Sequence, residues 1–354
     1  MLLQQSLLLE EHRLWIEMLL SDIGENGLIE YIKRHSFKLI PNNKDIIIGI
    51  GDDAAVIKTG AGSQLLVTTD LMTEGIHFDL SYTTYYQLGF KLISVNVSDI
   101  YAMSGTPAYA LLALSFPAKT KESDFNQFIN GILNALHLYN TALIGGDTCS
   151  SKRDMTISAT VMGYSAHPIP RDTAVLGDNI YVTGYTGDSA CGMELLKRIN
   201  KTVDIEKFCS GNPKGQAQDL PLHWDIMSPL MKRHLMPHVK MPDIEGLKVN
   251  SMMDISDGLA IDLKKLCTAS GCGASIYQDR LPISPQMAKA SEYLKLDPMN
   301  LCLNGGEDYQ YLFTSPDVID CAFCIGKITS NGIILIDKYN KETQLGDCGY
   351  EHFK

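Results

Sequence analysis

Short apolar runs that end at aspartate residues recur along this chain. Each run is rich in Val, Ile and Leu, the composition of a strand that is buried in a sheet. The runs end at Asp52 with Asp53, at Asp70, at Asp99, at Asp147, and at Asp254 with Asp257 close behind. Functional residues concentrate in the loops that follow such strands. If several of these ends lie side by side, we expect their carboxylates to meet at one edge of a sheet.

The alternation of apolar and polar positions predicts two α/β layers in succession. The first layer would hold one sheet and two helices, and a helix at 21–34 precedes it. Its strands are predicted at 46–50, 64–69, 108–116, 142–144 and 156–164, and its helices at 86–103 and 123–139. Pro168, Pro170 and Gly177 then interrupt the pattern. A second alternation of strands and helices begins with a strand at 180–183.

A length of 354 residues favours two domains over one. We expect an N-terminal extension at 1–20, an N-terminal domain at 21–167 and a C-terminal α/β domain at 168–354. The polar segment 201–220 is rich in Gly, Lys, Asp and Gln, so it buries little and is predicted to be an insertion.

Composition and charge narrow the classes of function. The chain is 45% hydrophobic and 20% charged, which is usual for a soluble globular protein. Its net charge of −11 argues against a nucleic-acid-binding protein and against binding to an anionic membrane. Nine cysteines, scattered through apolar segments, predict free buried thiols in a reducing compartment. The N-terminus lacks the features of a signal peptide, and we therefore expect a cytoplasmic protein.

Carboxylates that lie close together need cations. Two carboxylates 4 Å apart repel by roughly 4 kcal/mol at an effective dielectric constant of about 20. Hard oxygen ligands select Mg²⁺ or a similar ion, and sites with several such ions usually serve phosphate chemistry. The chain has no P-loop, no dinucleotide-binding glycine motif and no protein-kinase signature. An enzyme of this sequence that uses ATP would therefore have a fold without a P-loop.

Short motifs carry these acids, and each motif has a simple structural explanation by itself. They are Gly51-Asp52-Asp53, Thr68-Thr69-Asp70 followed by His77, Gly145-Gly146-Asp147, Asp254-Ile255-Ser256-Asp257, and Gly305-Gly306-Glu307. A solvated turn, a packed histidine or a helix cap accounts for any one of them. Hydroxyls beside a carboxylate can also ligate Mg²⁺, and paired glycines let the backbone approach a ligand. Together, in this order, the motifs are a poor fit to chance.

This ordered set resembles the thiamine-monophosphate kinase family. The superfamily of that family also includes aminoimidazole ribonucleotide synthetase, selenophosphate synthetase and the hydrogenase-maturation dehydratase. The similarity runs from about residue 21 to residue 353. Further motifs that carry it are Val-Asn-Val-Ser-Asp ending at Asp99, Gly-Asp-Ser-Ala starting at Gly187, Arg233-His-Leu with Pro237, Gly-Gly-Glu-Asp-Tyr ending at Tyr309, and Gly349-Tyr-Glu-His-Phe.

The resemblance implies a two-domain, aminoimidazole ribonucleotide synthetase-like α/β (α+β) fold. The N-terminal domain would bind ATP and Mg²⁺, and the N-terminal sheets of two copies would pair into a barrel across a homodimer. The implied reaction is the phosphorylation of thiamine monophosphate to thiamine diphosphate by direct in-line transfer. ATP would be the co-substrate and several Mg²⁺ ions the cofactors, with no nucleic acid or membrane as partner.

The resemblance also assigns site residues by position. Mg²⁺ ligands are implied at Asp53, Thr68, Thr69, Asp70, Asp99, Asp147, Asp254 and Asp257. ATP contacts are implied at Gly146, Asp147, Arg171 and Ser256, and catalytic roles at Asp70, Asp147 and Arg171. Thiamine-phosphate contacts are implied at His77, Glu307 and Tyr350, the last in place of the Trp of many relatives. A carboxylate and an aromatic face suit the cationic thiazolium and the pyrimidine of this acceptor.

Two other functions stay open at this point. The first is another ATP-dependent reaction of the superfamily. Selenophosphate synthesis would call for a reactive residue near the N-terminus, whereas the first cysteine here is Cys149. The hydrogenase-maturation reaction would call for a C-terminal cysteine, whereas this chain ends at Lys354. The second is a catalytically silent protein that binds ATP and Mg²⁺, which the loss of an acid would support, but none of the acids is missing.

Overall fold

We describe a computed structural model of the chain over residues 20–39, 44–60, 62–203, 205 and 222–345. Contacts between residues divide the chain into two units, one of residues 1–44 with 350–354 and one of residues 45–349. In the smaller unit the structure describes helix α1, Leu20–Leu39, in which Gly24 has a non-helical φ of 69°. The helix predicted at 21–34 is therefore confirmed and extends further at its C-terminal end.

The larger unit begins with a six-stranded sheet. Its strands are β1 Ile46–Ile48, β2 Ala55–Lys58, β3 Gln64–Thr73, β4 Thr106–Pro117, β5 Ala142–Ser151 and β6 Thr156–Ser165, in the spatial order β1-β2-β3-β6-β4-β5. Neighbouring strands are antiparallel except β4 and β5, which are parallel. Strand β5 is consequently an edge strand, and all but its last residue are exposed.

Two helices, α2 Tyr85–Ala102 and α3 Glu122–Leu138, accompany this sheet. Helix α2 begins with a capping box, in which the Thr84 side chain accepts from the Gln87 N–H and the Gln87 side chain accepts from the Thr84 N–H. The two helices approach closely at a pair of glycines. A Cβ atom on Gly89 would lie 2.1 Å from the Phe128 carbonyl oxygen, and one on Gly131 would lie 2.0 Å from that of Tyr86. Side chains larger than hydrogen would force the helices apart.

A seven-stranded sheet follows. Its strands are β7 Asn179–Val182, β8 Ser251–Asp254, β9 Gly273–Tyr277, β10 Tyr311–Ser315, β11 Phe323–Thr329, β12 Ile333–Ile336 and β13 Glu342–Gln344, in the order β13-β12-β9-β11-β7-β10-β8. Its helices are α4 Asp188–Ile199, α5 Trp224–Leu235, α6 Leu259–Ser270, α7 Pro285–Leu294 and α8 Pro298–Asn304. Strand β8 lies at the edge and pairs with β10, so that Asp254 is opposite Tyr311.

The structure corrects the prediction that every aspartate-ended run is a strand that stops at its acid. Asp99 lies inside helix α2, and Asp70 and Asp147 lie within ten-residue strands. The helix predicted at 86–103 is itself confirmed as α2, so the run that ends at Asp99 belongs to a helix and not to a strand. Only the runs before Asp53 and Asp254 end as predicted, at a turn and at the last residue of β8.

The cysteines are less uniformly buried than the sequence predicts. The seven cysteines within the described ranges are all free thiols. Cys191, Cys267 and Cys302 are buried as predicted, but Cys149 and Cys321 are exposed. Cys149 is exposed because it lies on the edge strand β5. The predicted insertion at 201–220 falls almost wholly outside the described residues, and no helix among the described residues has the length and hydropathy to cross a membrane.

Candidate active site

Asp53, Asp99 and Asp254 form a three-carboxylate cluster, in which one oxygen of each residue lies within 4.8 Å of the others. The first follows β1 in a turn, the second lies in helix α2, and the third ends strand β8. The cluster therefore joins the layer of the first sheet to the edge of the second. It is the one group of this kind found among the residues that the structure describes.

Hydroxyl groups hold two of these carboxylates in place. Ser98 Oγ donates a 2.7 Å hydrogen bond to Asp254 Oδ2, and Thr68 Oγ1 donates a 2.5 Å bond to Asp99 Oδ2. Asp254 is only 2% exposed. Because Ser98 and Asp99 are consecutive in α2, one turn of this helix positions an acid of its own and an acid of the other sheet.

Arg171 holds the third carboxylate. Its guanidinium pairs with Asp53, and its Nε lies 3.2 Å from Asp52 Oδ1. Its backbone N–H also donates to Asp52 Oδ2 over 3.1 Å. The sequence motif contained Asp52, but no role was assigned to it. In the structure Asp52 fixes the side chain of Arg171 beside the cluster.

Burial and mutual repulsion make the cluster unfavourable as three bare anions. Burial raises the pKa of Asp53 to about 7, even though Arg171 opposes this shift. Burial, with the charges of Asp70 and Asp254, raises the pKa of Asp99 well above its usual value, and burial together with the charge of Asp53 does the same for Asp254. Asp53 Oδ2 is buried without a hydrogen-bond partner. These hard, partly unsatisfied oxygens fit a divalent cation such as Mg²⁺.

The two predicted threonine ligands point to opposite faces of strand β3, as alternation along a strand requires. The Thr68 hydroxyl faces α2, and the Asp70 N–H on the same strand donates to Asn96 Oδ1 of that helix over 3.0 Å. Burial and the charge of Asp257 raise the pKa of Asp70 to about 6. The Thr69 hydroxyl instead donates to the Ala159 carbonyl over 3.0 Å. The single chain thus brings Thr68 to the cluster but not the Thr69 side chain.

Asp257 and Ser256 lie in a turn that a residue without a predicted role organises. Asp262 Oδ2 accepts from the backbone N–H groups of Ser256, Asp257 and Gly258 over 3.0, 3.0 and 3.1 Å. Lys265 contacts the Asp257 carboxylate and lies 3.0 Å from Asp262 Oδ1. The acids of this motif are therefore neutralised in part by a lysine in the second turn of α6.

Gly146 and Asp147 lie away from the cluster in the single chain. Across the sheet, Asp147 is level with Ala113, Ser158 and Leu71, whereas Gly146 is level with Leu112, Ala159 and Asp70. Asp147 thus points to the face opposite Asp70, since side chains alternate along a strand. Three steps of about 4.8 Å between strands put the two backbones about 14 Å apart. The Asp147 side chain is exposed and accepts from the Thr148 N–H over 2.9 Å.

Glu307 forms a second charged group, with two partners that the sequence did not assign. Its Oε1 lies 2.8 Å from Lys91 Nζ, and its Oε2 lies 3.1 Å from His234 Nδ1. Burial works to raise the pKa of Glu307, but the charge of Lys91 and the contact with His234 outweigh it and hold the pKa far below its usual value. Glu307 also has a φ of 63°. Backbone strain of this kind concentrates at functional sites.

The other predicted acceptor contacts are described only in part. His77 is half-buried, and its Nδ1 accepts from the Thr73 N–H over 3.0 Å, so that Nδ1 carries no proton. Tyr350 lies outside the described residues. Among the three predicted acceptor contacts, both carboxylate oxygens of Glu307 have identified partners, and His77 has the contact with Thr73.

One sequence signal could have revealed several of the missed residues. Lys91, Asn96 and Ser98 are among the polar residues of a largely apolar helix, and all three are buried. A buried polar side chain needs a partner, so such positions mark contacts with other elements. His234 belongs to the Arg233-His-Leu motif, but the residues next to it in the sequence do not predict its contact with Glu307.

Comparisons with known proteins show which family the chain is similar to. Residues 51–165 match the family described as AIR synthase related protein, N-terminal domain, and residues 177–350 match the C-terminal domain of the same family. A thiamine-monophosphate kinase of Aquifex aeolicus is 33% identical over 95% of this chain and 100% of its own length. One of Escherichia coli K12 is 32% identical over 92% of this chain and 98% of its own.

A solved structure supports the same relationship in three dimensions. It is described as "AaThiL complexed with AMPPCP and TMP", and it superposes with a TM-score of 0.79 at 32% identity. The match covers 95% of this chain and 99% of that one. The similarity in three dimensions therefore extends over nearly the whole chain.

Proposed function

The chain belongs to the thiamine-monophosphate kinase family of AIR synthase related proteins, and from this premise we propose that it transfers the γ-phosphoryl group of ATP to thiamine monophosphate. The products are ADP and thiamine diphosphate. The observation that supports this most directly is the carboxylate cluster of Asp53, Asp99 and Asp254. The chain that contains this cluster also matches thiamine-monophosphate kinases over 98–100% of their length.

Direct in-line transfer fits the chemistry of both substrates. The nucleophile is an oxygen of the acceptor phosphate, which is already ionised at pH 7 and needs little help from a general base. What the reaction needs is relief of the repulsion between two anions and accurate positioning. When bound, Mg²⁺ held by Asp53, Asp99 and Asp254, with Asp70 and Asp257 close to them, would neutralise the charge of the transferring phosphate.

Arg171 is the cation of this chain that lies beside the cluster. Its guanidinium has five N–H donors, and its contacts with Asp52 and Asp53 use only part of them. The two aspartates hold the group in one orientation, which reduces the entropy cost of each further hydrogen bond. We assign Arg171 to the ATP phosphates, where its remaining N–H groups can donate.

The proposal includes a homodimer that pairs through the first sheet. Leu71, Tyr109, Ile144 and Tyr164 on this sheet are between 39% and 58% exposed, although large apolar side chains are ordinarily buried. Exposed apolar patches of this kind mark contact surfaces. Pairing of two such sheets would form the barrel that the resemblance implies, and it would bring Thr69 and Asp147 against the partner subunit.

The domain division and the compartment are part of the same proposal. We retain domains at 21–167 and 168–354, because the two sheets lie on either side of the break at Pro168 and Pro170. A cytoplasmic location is supported by the free thiols, since disulfide bonds are rare in reducing compartments.

The test is incubation of the protein with ATP, Mg²⁺ and thiamine monophosphate, followed by chromatographic separation of the products. We expect thiamine diphosphate to form, and to be absent when Mg²⁺ is omitted or when Asp254→Asn replaces the wild type. The variant removes one anionic oxygen and keeps the shape of the side chain. A folded protein that binds ATP but makes no thiamine diphosphate would support the catalytically silent alternative instead.

A further inference from the structure

Both oxygens of Glu307 are already in contact with other side chains. Lys91 Nζ lies 2.8 Å from Oε1, and His234 Nδ1 lies 3.1 Å from Oε2. The Lys91 and His234 side chains are only 3% and 5% exposed, whereas Glu307 is 29% exposed. The two partners therefore lie beneath Glu307, and the open side of its carboxylate faces away from them.

The net charge of this trio is zero. Burial and the charge of Lys91 lower the pKa of His234, so the imidazole is neutral. The positive charge of Lys91 then balances the negative charge of Glu307. A carboxylate whose charge is balanced at 2.8 Å is a weak counter-ion for a second cation. Glu307 is therefore poorly suited to pair with the cationic thiazolium of the acceptor.

Glu307 nevertheless retains the capacity to accept hydrogen bonds. An ionised carboxylate has about four lone-pair sites and no donor, and the contacts with Lys91 and His234 use two of them. Because Lys91 keeps the group ionised, its exposed side presents acceptors only. A ligand group that donates N–H would match this side, and one that only accepts would be repelled.

The backbone fixes the direction of the Glu307 side chain. Its N–H donates to the Ser256 carbonyl over 2.6 Å. A Cβ atom on Gly306 would lie 2.6 Å from the same Ser256 oxygen, which accounts for a glycine at this position. The next residue, Asp308, is fully buried and accepts from the Ser189 N–H over 2.9 Å. Glu307 is thus tied to the turn that carries Ser256 and Asp257, where the phosphates are expected.

We propose that Glu307 selects the acceptor by accepting a hydrogen bond from the exocyclic amino group of its pyrimidine ring, and that Lys91 and His234 are positioning residues for this contact. The inference rests on the proposed function, because it names the part of thiamine monophosphate that Glu307 recognises. The pyrimidine amino group is the N–H donor of this acceptor, whereas the thiazolium carries charge but has no N–H. The positive ring is thereby assigned to another part of the site.

The test compares two acceptors, thiamine monophosphate and its analogue with hydrogen in place of the pyrimidine amino group. A hydrogen bond to a charged group contributes about 1.5–3 kcal/mol, so we expect kcat/KM to fall by roughly ten- to a hundred-fold for the analogue with the wild-type enzyme. The loss should lie mainly in KM for the acceptor. Glu307→Ala should use the two acceptors about equally.

Variants of the positioning residues Lys91 and His234 should change the discrimination between the two acceptors in the same direction but by less. Lys91→Met should reduce the discrimination to a few-fold and raise KM for the acceptor but not for ATP, and Lys91→Arg should restore part of it. His234→Leu should lower the discrimination, whereas His234→Asn, which places an N–H donor near the position of Nδ1, should retain it. Lys327→Met, at an exposed position of β11, is the control and should behave as wild type.

The possible outcomes separate the inference about Glu307 from the proposed function. If the wild-type enzyme makes thiamine diphosphate but uses both acceptors equally well, the inference is overturned while the proposed function stands. If it phosphorylates neither acceptor, the proposed function itself fails. Where Glu307→Ala does not fold because Lys91 is left without a counter-ion, the double variant Lys91→Met with Glu307→Leu, which removes both charges and the acceptor oxygens, takes its place. A Glu307→Ala variant, or the double variant, that keeps the wild-type discrimination would also overturn the inference.

Discussion

The hydroxyl group of Ser98 donates a 2.7 Å hydrogen bond to the Asp254 carboxylate, and through it helix α2 of the first sheet contacts the edge strand of the second. Both side chains are buried. The contact orients Asp254 toward Asp53 and Asp99, its partners in the cluster. A residue that is not itself a predicted ligand thus fixes the orientation of one.

We expect Ser98→Ala to weaken Mg²⁺ binding. Loss of the hydroxyl leaves the buried Asp254 carboxylate without this donor, and removal of a residue that orients a metal ligand typically lowers metal affinity by about 10–100-fold. Ser98→Thr keeps a hydroxyl and serves as the control. Calorimetric titration of Mg²⁺ measures the effect, and unchanged affinity in Ser98→Ala would contradict the orienting role.

Sequence reasoning identified the acids of the cluster because their chemistry is evident from residue type. It also predicted the helix at 86–103 that carries Asp99, but it could not show which side of this almost wholly buried helix meets the cluster, because its apolar residues do not mark one face. It also could not pair Lys91 with Glu307, since these residues come from distant parts of the chain and meet only when the two sheets assemble. The opposite directions of Thr68 and Thr69 were within reach, because alternation along a strand is a local rule.

The pKa values of the cluster predict a pH-dependent stability for the metal-free protein. In the folded state, burial raises the pKa of Asp53 to about 7 and that of Asp70 to about 6, whereas the unfolded value is about 3.9. Between these values the folded state binds more protons than the unfolded state, so stability decreases as pH rises. The contribution is complete below about pH 4 and is lost as the pH rises through 6 to 7.

Thermal unfolding in EDTA between pH 5 and pH 8 measures this dependence. We expect Tm to fall toward pH 8, and added Mg²⁺ to raise Tm more at pH 8 than at pH 5, because metal ions and protons compete for the same oxygens. Asp254→Asn should flatten the pH dependence, since it removes one of the repelling charges. A Tm that rises steadily from pH 5 to pH 8 in EDTA would show that ionisation of these carboxylates does not destabilise the folded state.

Removal of the Asp262 side chain should destabilise the fold, because this carboxylate organises the turn at 256–258. Its buried Oδ2 accepts three backbone N–H groups of the turn at 256–258. Each buried donor left without an acceptor costs about 1–3 kcal/mol, so Asp262→Ala should lower the free energy of unfolding by more than about 2 kcal/mol. Asp262→Asn keeps one acceptor oxygen and should cost less. Denaturant titration of both variants provides the measurement, and equal losses would argue against the hydrogen bonds.

Asp147 tests whether the site needs a second copy of the chain. It is exposed on an edge strand and points away from Asp70, so Asp147→Asn should change stability by no more than about 0.5 kcal/mol, as at other surface positions. If Asp147 supplies a Mg²⁺ ligand, the same variant should lose most of its kcat. A variant with wild-type turnover at limiting Mg²⁺ would remove Asp147 from the site altogether.

Mixed dimers then show which subunit Asp147 serves. The Asp147→Asn and Asp254→Asn variants are each expected to be inactive, and they are unfolded together and refolded at equal concentration. If Asp147 completes the cluster of the partner subunit, each mixed dimer contains one site in which both residues are intact. Half of the dimers are mixed and half of their sites are intact, so about a quarter of the wild-type activity should return in a symmetric two-fold assembly. If Asp147 instead serves its own subunit, every site carries one of the two substitutions and no activity returns. Because Asp147 lies on the face of the first sheet opposite Asp70, we expect about a quarter of the wild-type activity to return.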